Sequence, residues 1–121
     1  MTIPFELTAT DAIKLIRENK LSRYEWVQSC FERIREKEDL VKAWIYLDED
    51  RALEKAKQLD NENNESQLGI PFGIKDIIDA SNTPTGFGTN FYQNNVPMRD
   101  AASVSAVSYT HLRAHETAYY L

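Results

Sequence analysis

The segment from Leu68 to Asp79 constrains the fold more than any other part of this sequence. It is an apolar run punctuated by glycines, and such a run is typical of a strand buried on both faces. Buried strands of this kind belong to parallel sheets that are covered by helices. We therefore predict an α/β fold in which this run forms a strand and the helices before it form a layer on the sheet.

Two helices are predicted before residue 40. The first begins at Thr8, where an acid three residues later can complete the cap, and it ends near Asn19. The second begins with a capping box formed by Ser22 and Glu25, and it should be an amphipathic helix of about four turns. Its apolar face is formed by residues at helical spacing, namely Val27, Cys30, Phe31 and Ile34.

The pattern changes twice before the apolar run. Alternation from Leu40 to Leu47 predicts an extended segment with one side packed more tightly than the other. A third helix should then begin at an Asp48 cap and end near Asp60, with Ala52, Leu53, Ala56 and Leu59 on its apolar face. Residues 61–67 are predicted to form a solvated loop and residues 81–90 an irregular segment, and a further helix is predicted near Arg99 and Asp100.

Composition excludes several classes of function. The chain has 121 residues, with 14 Lys and Arg against 19 Asp and Glu, so its formal net charge of −5 argues against a nucleic-acid partner. No apolar stretch approaches the roughly 18 residues that would cross a bilayer, and the N-terminus does not resemble a signal peptide, so we expect a soluble, cytoplasmic protein. The single cysteine, Cys30, excludes an internal disulfide and is expected to be a buried structural thiol.

Lys75 is the candidate catalytic residue. It lies inside the apolar run and is the only cation between Lys57 and Arg99. The simpler interpretation is a strand-end lysine whose ammonium reaches water. The functional interpretation is a desolvated lysine whose amine acts as a base near neutral pH.

Other motifs carry weaker signals. Gly86-Phe87-Gly88 lacks the third glycine of a dinucleotide-binding loop and follows no strand directly, so we interpret it as a connecting loop and expect no cofactor. Trp26, Phe31 and Trp44 are interpreted as core residues. His111 and His115 have a spacing that could hold a metal on a helix, but the tail that contains them has a better explanation.

The C-terminal tail is predicted to be foreign sequence. Residues 107–116 are the translation of GTC TCT TAT ACA CAT CTC CGA GCC CAC GAG, which resembles a transposase-based sequencing adapter. We therefore divide the chain into residues 1–106, a native part, and residues 107–121, a non-native tail that is left out of functional reasoning. The metal hypothesis is set aside with the tail, and no metal ligand is nominated.

Residues from about Leu7 to Val104 resemble the N-terminal part of the amidase signature family. The most specific feature is the segment Gly69-Ile70-Pro71-Phe72-Gly73-Ile74-Lys75-Asp76, supported by Pro84-Thr85, Gly88-Thr89 and Val96-Pro97. The resemblance implies a mixed sheet sandwiched by helices, and cleavage of carboxamide C–N bonds by a Ser-cisSer-Lys triad. Lys75 matches the triad lysine, which would relay a proton through a bridging serine to activate a second serine.

The glycine- and serine-rich segment that supplies both serines of this family is absent from the chain. Ser103 and Ser105 have no glycine neighbours, so neither is nominated. The resemblance therefore implies an inactive N-terminal fragment of an amidase whose substrate is a small-molecule amide. One alternative is a fragment of the A subunit of a tRNA-dependent amidotransferase. The residue types at positions 44–48 and 78–79 favour the stand-alone amidases over this alternative. Another alternative is a helical interaction module without chemistry.

The foreign tail can be checked in the source DNA. We expect the uninterrupted reading frame to diverge from the present sequence after residue 106 and to continue into a glycine- and serine-rich segment. Sequencing of a long clone from the same source measures this directly. A continuation without that segment would refute assignment of the parent protein to the amidases.

The isolated chain is predicted to be aggregation-prone or only partly ordered. A strand taken from a larger sheet has unpaired edges, and apolar side chains such as Phe72, Ile74 and Ile78 would lose the layers that cover them. Size-exclusion chromatography with light scattering, followed by a thermal scan, checks this. A monodisperse monomer with one cooperative transition would contradict it.

Overall fold

The computed structural model describes residues 2–62, 67–110 and 112–118, and the side chains of 2–62 and 67–108. Four helices are present in this part of the chain: α1 (Ala9–Arg17), α2 (Arg23–Val41), α3 (Glu49–Glu62) and α4 (Ala102–Thr110). Three strands accompany them: β1 (Trp44–Tyr46), β2 (Pro71–Lys75) and β3 (Leu112–Ala118). Short 3-10 turns cover Pro4–Glu6 and Asn90–Tyr92.

The predicted helix starts are confirmed by their capping bonds. The Thr8 hydroxyl accepts the amide of Asp11 at the start of α1. At the start of α2, both halves of the capping box between Ser22 and Glu25 are formed. Asp48 accepts the amide of Arg51 at 3.1 Å, which caps α3. These bonds satisfy amides that have no partner inside a helix.

The end of α1 agrees with the prediction. Asn19 adopts a left-handed conformation, with φ at 55°. Its amide bonds to the carbonyl of Ile16 at 3.0 Å, and the Lys20 amide bonds to that of Leu15 at 2.9 Å. This pair of bonds is a Schellman motif, which satisfies the last carbonyls of the helix.

Two boundaries near residue 40 were predicted wrongly. α2 has 19 residues, about five turns rather than four, and it includes Leu40 and Val41 from the predicted extended segment. Both side chains are exposed, so these two apolar residues do not mark a buried strand. The strand that remains has three residues, and Ile45 at its centre is more exposed than its two neighbours.

The predicted faces of α2 and α3 form a first core. It contains Val27 and Phe31 from α2 with Ala52, Ala56 and Leu59 from α3, and Ile34, Leu47 and Leu53 pack against it. Burial of a large apolar side chain stabilises a fold by about 1.5–3 kcal/mol. α3 also contacts β3, so the helical layer meets the sheet through α3.

The sheet is mixed, with strand order β1-β3-β2. β3 runs parallel to β2 and antiparallel to β1. Mixed order is the arrangement implied by the family resemblance, whereas the purely parallel sheet suggested by the apolar run is not observed. The strand in that run is limited to Pro71–Lys75, and within it only Ile74 is buried, so burial on both faces was predicted wrongly.

The central strand comes from the tail that the sequence predicts to be foreign. β3 lies within residues 107–121, and the predicted boundary at residue 106 falls inside α4. His115 lies in this strand, so the helical spacing invoked for a metal site does not apply to it. His111 lies outside the described residues. The helix predicted near Arg99 is α4, which begins two residues after Asp100.

The capping box predicts a pH dependence of helix stability. Bonds from the backbone and hydroxyl of Ser22 lower the pKa of Glu25 below its usual value. A carboxyl whose pKa is lowered by folding stabilises the fold above its unfolded pKa of about 4.3, and that contribution is lost as pH falls through the folded pKa. We expect the helix melting temperature to fall more steeply below about pH 4.5 in wild type than in Glu25→Gln.

Circular dichroism at 222 nm between about pH 3 and 7 measures this melting temperature. Glu54→Gln, an exposed change in the middle of α3, is the matched control and should leave the pH dependence unchanged. Equal slopes for wild type and Glu25→Gln would contradict the prediction.

Candidate functional site

Lys75 is the last residue of β2, and its side chain is exposed. Its carbonyl accepts the amide of Ile78 at 3.0 Å, which starts a turn directly after the strand. The preceding residue, Ile74, belongs to a second core with Ala80 and Val104. The described residues therefore do not supply the desolvation expected of a catalytic amine, and the exposure is that of a strand-end lysine.

Asp76 follows Lys75 and is buried, with 4% of its surface exposed. Its carboxylate accepts two backbone amides, from Gly86 at 2.8 Å and from Gly88 at 3.0 Å. Its carbonyl accepts the amide of Phe87 at 2.9 Å. Three consecutive amides of one loop thus bond to a single residue, and the two that reach its carboxylate compensate the cost of burying that group.

The segment Gly86-Phe87-Gly88 is a connecting loop, as predicted, and its conformation explains both glycines. Phe87 and Gly88 have φ values of 54° and 70°, which point successive amides in one direction. A Cβ at Gly86 would lie 3.3 Å from Oδ2 of Asp76, tighter than an ordinary contact. The concave set of amides is therefore filled by a carboxylate of the chain itself.

The Gly86-Phe87-Gly88 segment belongs to a longer loop, residues 79–101, which is held by hydrogen bonds within it. The Ser81 amide donates to Oδ1 of Asp100 at 2.7 Å, and the Ala101 amide donates to the carbonyl of Asp79 at 2.8 Å. The Thr85 amide donates to the Asn95 carbonyl at 2.9 Å, and the Asn95 side chain donates to the Thr85 carbonyl at 3.0 Å. These bonds close residues 79–101 into a loop whose two ends meet.

Arg23 and Asp60 form an ionic junction that holds the chain just before β2. Asp60, near the end of α3, accepts the amides of Arg23 and Tyr24 at 2.9 and 3.0 Å. The Arg23 guanidinium donates to the carbonyls of Gln67 and Leu68, both at 3.1 Å. A Cβ at Gly69 would lie 2.6 Å from Cδ of Arg23, and the φ of Gly69 is 71°, so any other residue would be strained at this position.

The sequence motif points to Lys75 but predicts no role for Asp76, its neighbour. The signal was available, because a carboxylate inside an apolar run must find donors if it is buried. Thr83 and Thr85 are also buried, although they lie in a segment that is predicted to be irregular. The prediction of a buried Cys30 was wrong, since this residue is half-buried. Trp26 and Phe31 are buried as predicted, and Trp44 is half-buried.

Three aromatic rings lie in the loop of residues 79–101. Phe87 and Tyr92 pack edge to face with ring centres 5.3 Å apart, and Phe91 packs on Tyr92 in the same manner at 4.9 Å. All three are exposed.

Within the described ranges, no group of three His, Cys, Asp or Glu side chains could hold a metal ion. None of the helices in the described part is long and apolar enough to cross a membrane.

Comparison with known proteins identifies the relatives of this chain. A family profile described as Amidase matches residues 25–110. The A subunit of glutamyl-tRNA(Gln) amidotransferase from Desulfotalea psychrophila is 34% identical over 104 residues, covering 83% of this chain. That alignment covers 21% of the relative, so the chain spans about a fifth of its length.

Solved structures agree on the fold. The peptide amidase from Stenotrophomonas maltophilia superposes with a TM-score of 0.83 at 23% identity, covering 97% of this chain and 26% of that protein. Fatty acid amide hydrolase superposes with a TM-score of 0.87 at 19% identity, covering 100% of this chain and 23% of that protein. The helices and mixed sheet therefore have the amidase signature fold.

Proposed function

Because the chain belongs to the amidase family, we propose that the protein from which it derives cleaves carboxamide C–N bonds, with Lys75 as the base. The observation that carries this proposal is the position of Lys75 at the carboxyl end of β2, directly before the buried Asp76. Ligands of α/β proteins bind beyond the carboxyl ends of such strands. The turn and loop that follow β2 are tied down at the same place.

The proposed chemistry needs a neutral amine at Lys75. A serine hydroxyl is a weak nucleophile until a base within hydrogen-bond reach removes its proton. In the proposal, Lys75 takes this proton through a bridging serine, and the activated serine attacks the amide carbonyl. The C–N bond then breaks as the leaving amine takes that proton back, and water hydrolyses the acyl–serine ester to release the acid and restore the serine. Both serines are proposed to lie in the part of a complete amidase that this chain does not span. Ser103 and Ser105 are exposed on α4 and are not proposed for either role.

The exposure of Lys75 is compatible with this proposal. The alignment covers 21% of the curated relative, so most of a complete amidase is available to cover the strand end. Burial by that remainder would disfavour the charged ammonium and supply the amine that the chemistry needs. The chain by itself is proposed to be inactive, since a base without its nucleophile performs no cleavage.

A second candidate is the A subunit of an amidotransferase. The relatives that are 33% and 34% identical to this chain carry that name, which supports this candidate. Both candidates share the cleavage of an amide and the role of Lys75. They differ in the fate of the ammonia, which is released to water by an amidase and passed to a second substrate by a transferase.

Replacement of Lys75 tests the shared step. In the complete reading frame, Lys75→Ala should lower amide cleavage by about 10²–10⁴-fold, because general base catalysis contributes that much. Release of ammonia from small amides measures the rate, and Lys57→Ala, an exposed change on α3, is the matched control. Full activity of Lys75→Ala with an intact fold would overturn the role of Lys75 as the base. Absence of amide cleavage in the folded wild-type protein would favour the third possibility, a helical module without chemistry.

The same preparation separates the two enzymes. Hydrolysis of glutamine together with co-purification of other amidotransferase subunits would favour the amidotransferase. Hydrolysis of other amides by the isolated protein would favour a stand-alone amidase.

A further inference from the structure

We propose that Asp76 is the positioning residue for Lys75, acting through the hydrogen bonds that hold the end of β2. This inference rests on the proposed function, since it assigns Asp76 a part in the same site. Asp76 is buried and directs its carboxylate to loop amides, whereas Lys75 before it is exposed. Its effect on the chemistry would therefore pass through the backbone that the two residues share.

The peptide groups around Lys75 are fixed from both sides. The Lys75 carbonyl accepts the amide of Ile78 at 3.0 Å, and the Asp76 carbonyl accepts the amide of Phe87 at 2.9 Å. The Asp76 carboxylate holds the same loop through Gly86 and Gly88. Rotation of the 75–76 backbone would break bonds to both the turn and the loop, so the direction of the Lys75 side chain from its Cα is constrained.

The carboxylate also holds the loop in its left-handed conformation. Phe87 has φ at 54°, which is unfavourable for a residue with a side chain. Two charge-assisted bonds to the flanking amides compensate this cost. An amide side chain at position 76 would accept fewer bonds and would point an N–H group at one of the loop amides, so the loop would relax away from the strand end.

Small displacements of a catalytic base have large effects. A misplacement of about 1 Å can lower a rate by about 10²-fold, because a base works only within hydrogen-bond reach of its proton. A residue that sets the position of the base should therefore change kcat and leave substrate binding unchanged. A residue that only supports the fold would lower the yield of active protein without this split.

The test uses the complete protein with Asp76→Asn and the matched control Asp79→Asn, an exposed carboxyl three residues further along. We expect Asp76→Asn to lower kcat by about 10–10²-fold with KM changed by less than about twofold. The control should keep the wild-type kcat. In a Lys75→Ala background, Asp76→Asn should cause no further loss, since a positioning residue has nothing left to position.

Gly86→Ala is a second variant that leaves the carboxylate in place. Its methyl group would lie 3.3 Å from Oδ2 of Asp76 and would shift the carboxylate by a few tenths of an ångström, so a loss in kcat of about threefold is expected. This variant provides the test if Asp76→Asn does not fold.

Each outcome has a distinct meaning. The inference is overturned if folded Asp76→Asn keeps the wild-type kcat. If only Gly86→Ala folds, a wild-type kcat in that variant overturns it. In either case, an inactive Lys75→Ala still supports the proposed function. A rise in KM at unchanged kcat also overturns it. Wild-type activity of Lys75→Ala overturns the role of Lys75 as base in the proposed function, whatever the result at Asp76.

Discussion

The buried carboxylate of Asp76 is the interaction on which the candidate site depends. Its two bonds to the amides of Gly86 and Gly88 join the end of β2 to a loop ten to twelve residues further along the chain. A buried carboxylate without such bonds would be costly, and a loop with two left-handed residues would not hold its shape alone. Each partner therefore stabilises the other, and Lys75 immediately precedes Asp76 in the chain.

The junction of Arg23 and Asp60 performs the same task at the start of the strand. Asp60 satisfies the first amides of α2, and Arg23 binds the carbonyls that lead to Gly69. The packed helices thereby determine where β2 begins, and the loop after Asp76 determines where it ends. With both ends fixed, the five-residue strand presents Lys75 at a defined point of the sheet.

Much of this arrangement follows from local chemistry. The caps at Thr8, Ser22 and Asp48 lie where the sequence predicts them, because a hydroxyl or carboxylate next to free amides acts within a few residues. The faces of α2 and α3 follow from their periodicity for the same reason. The extent of the strands did not follow, since Leu40 and Val41 are apolar yet exposed in a helix. Apolar character alone does not reveal which surface is available to cover a side chain.

The sequence by itself determined the helices, the family and the identity of Lys75 as the candidate base, because caps, periodicity and a specific motif are properties of neighbouring residues. Only the tertiary structure decided that Asp76 is buried, that its donors are Gly86 and Gly88, and that Lys75 is exposed. It also decided that β3 lies between β1 and β2. Strand pairing is made by backbone groups that every residue carries, so partners distant in sequence are chosen by the assembled fold.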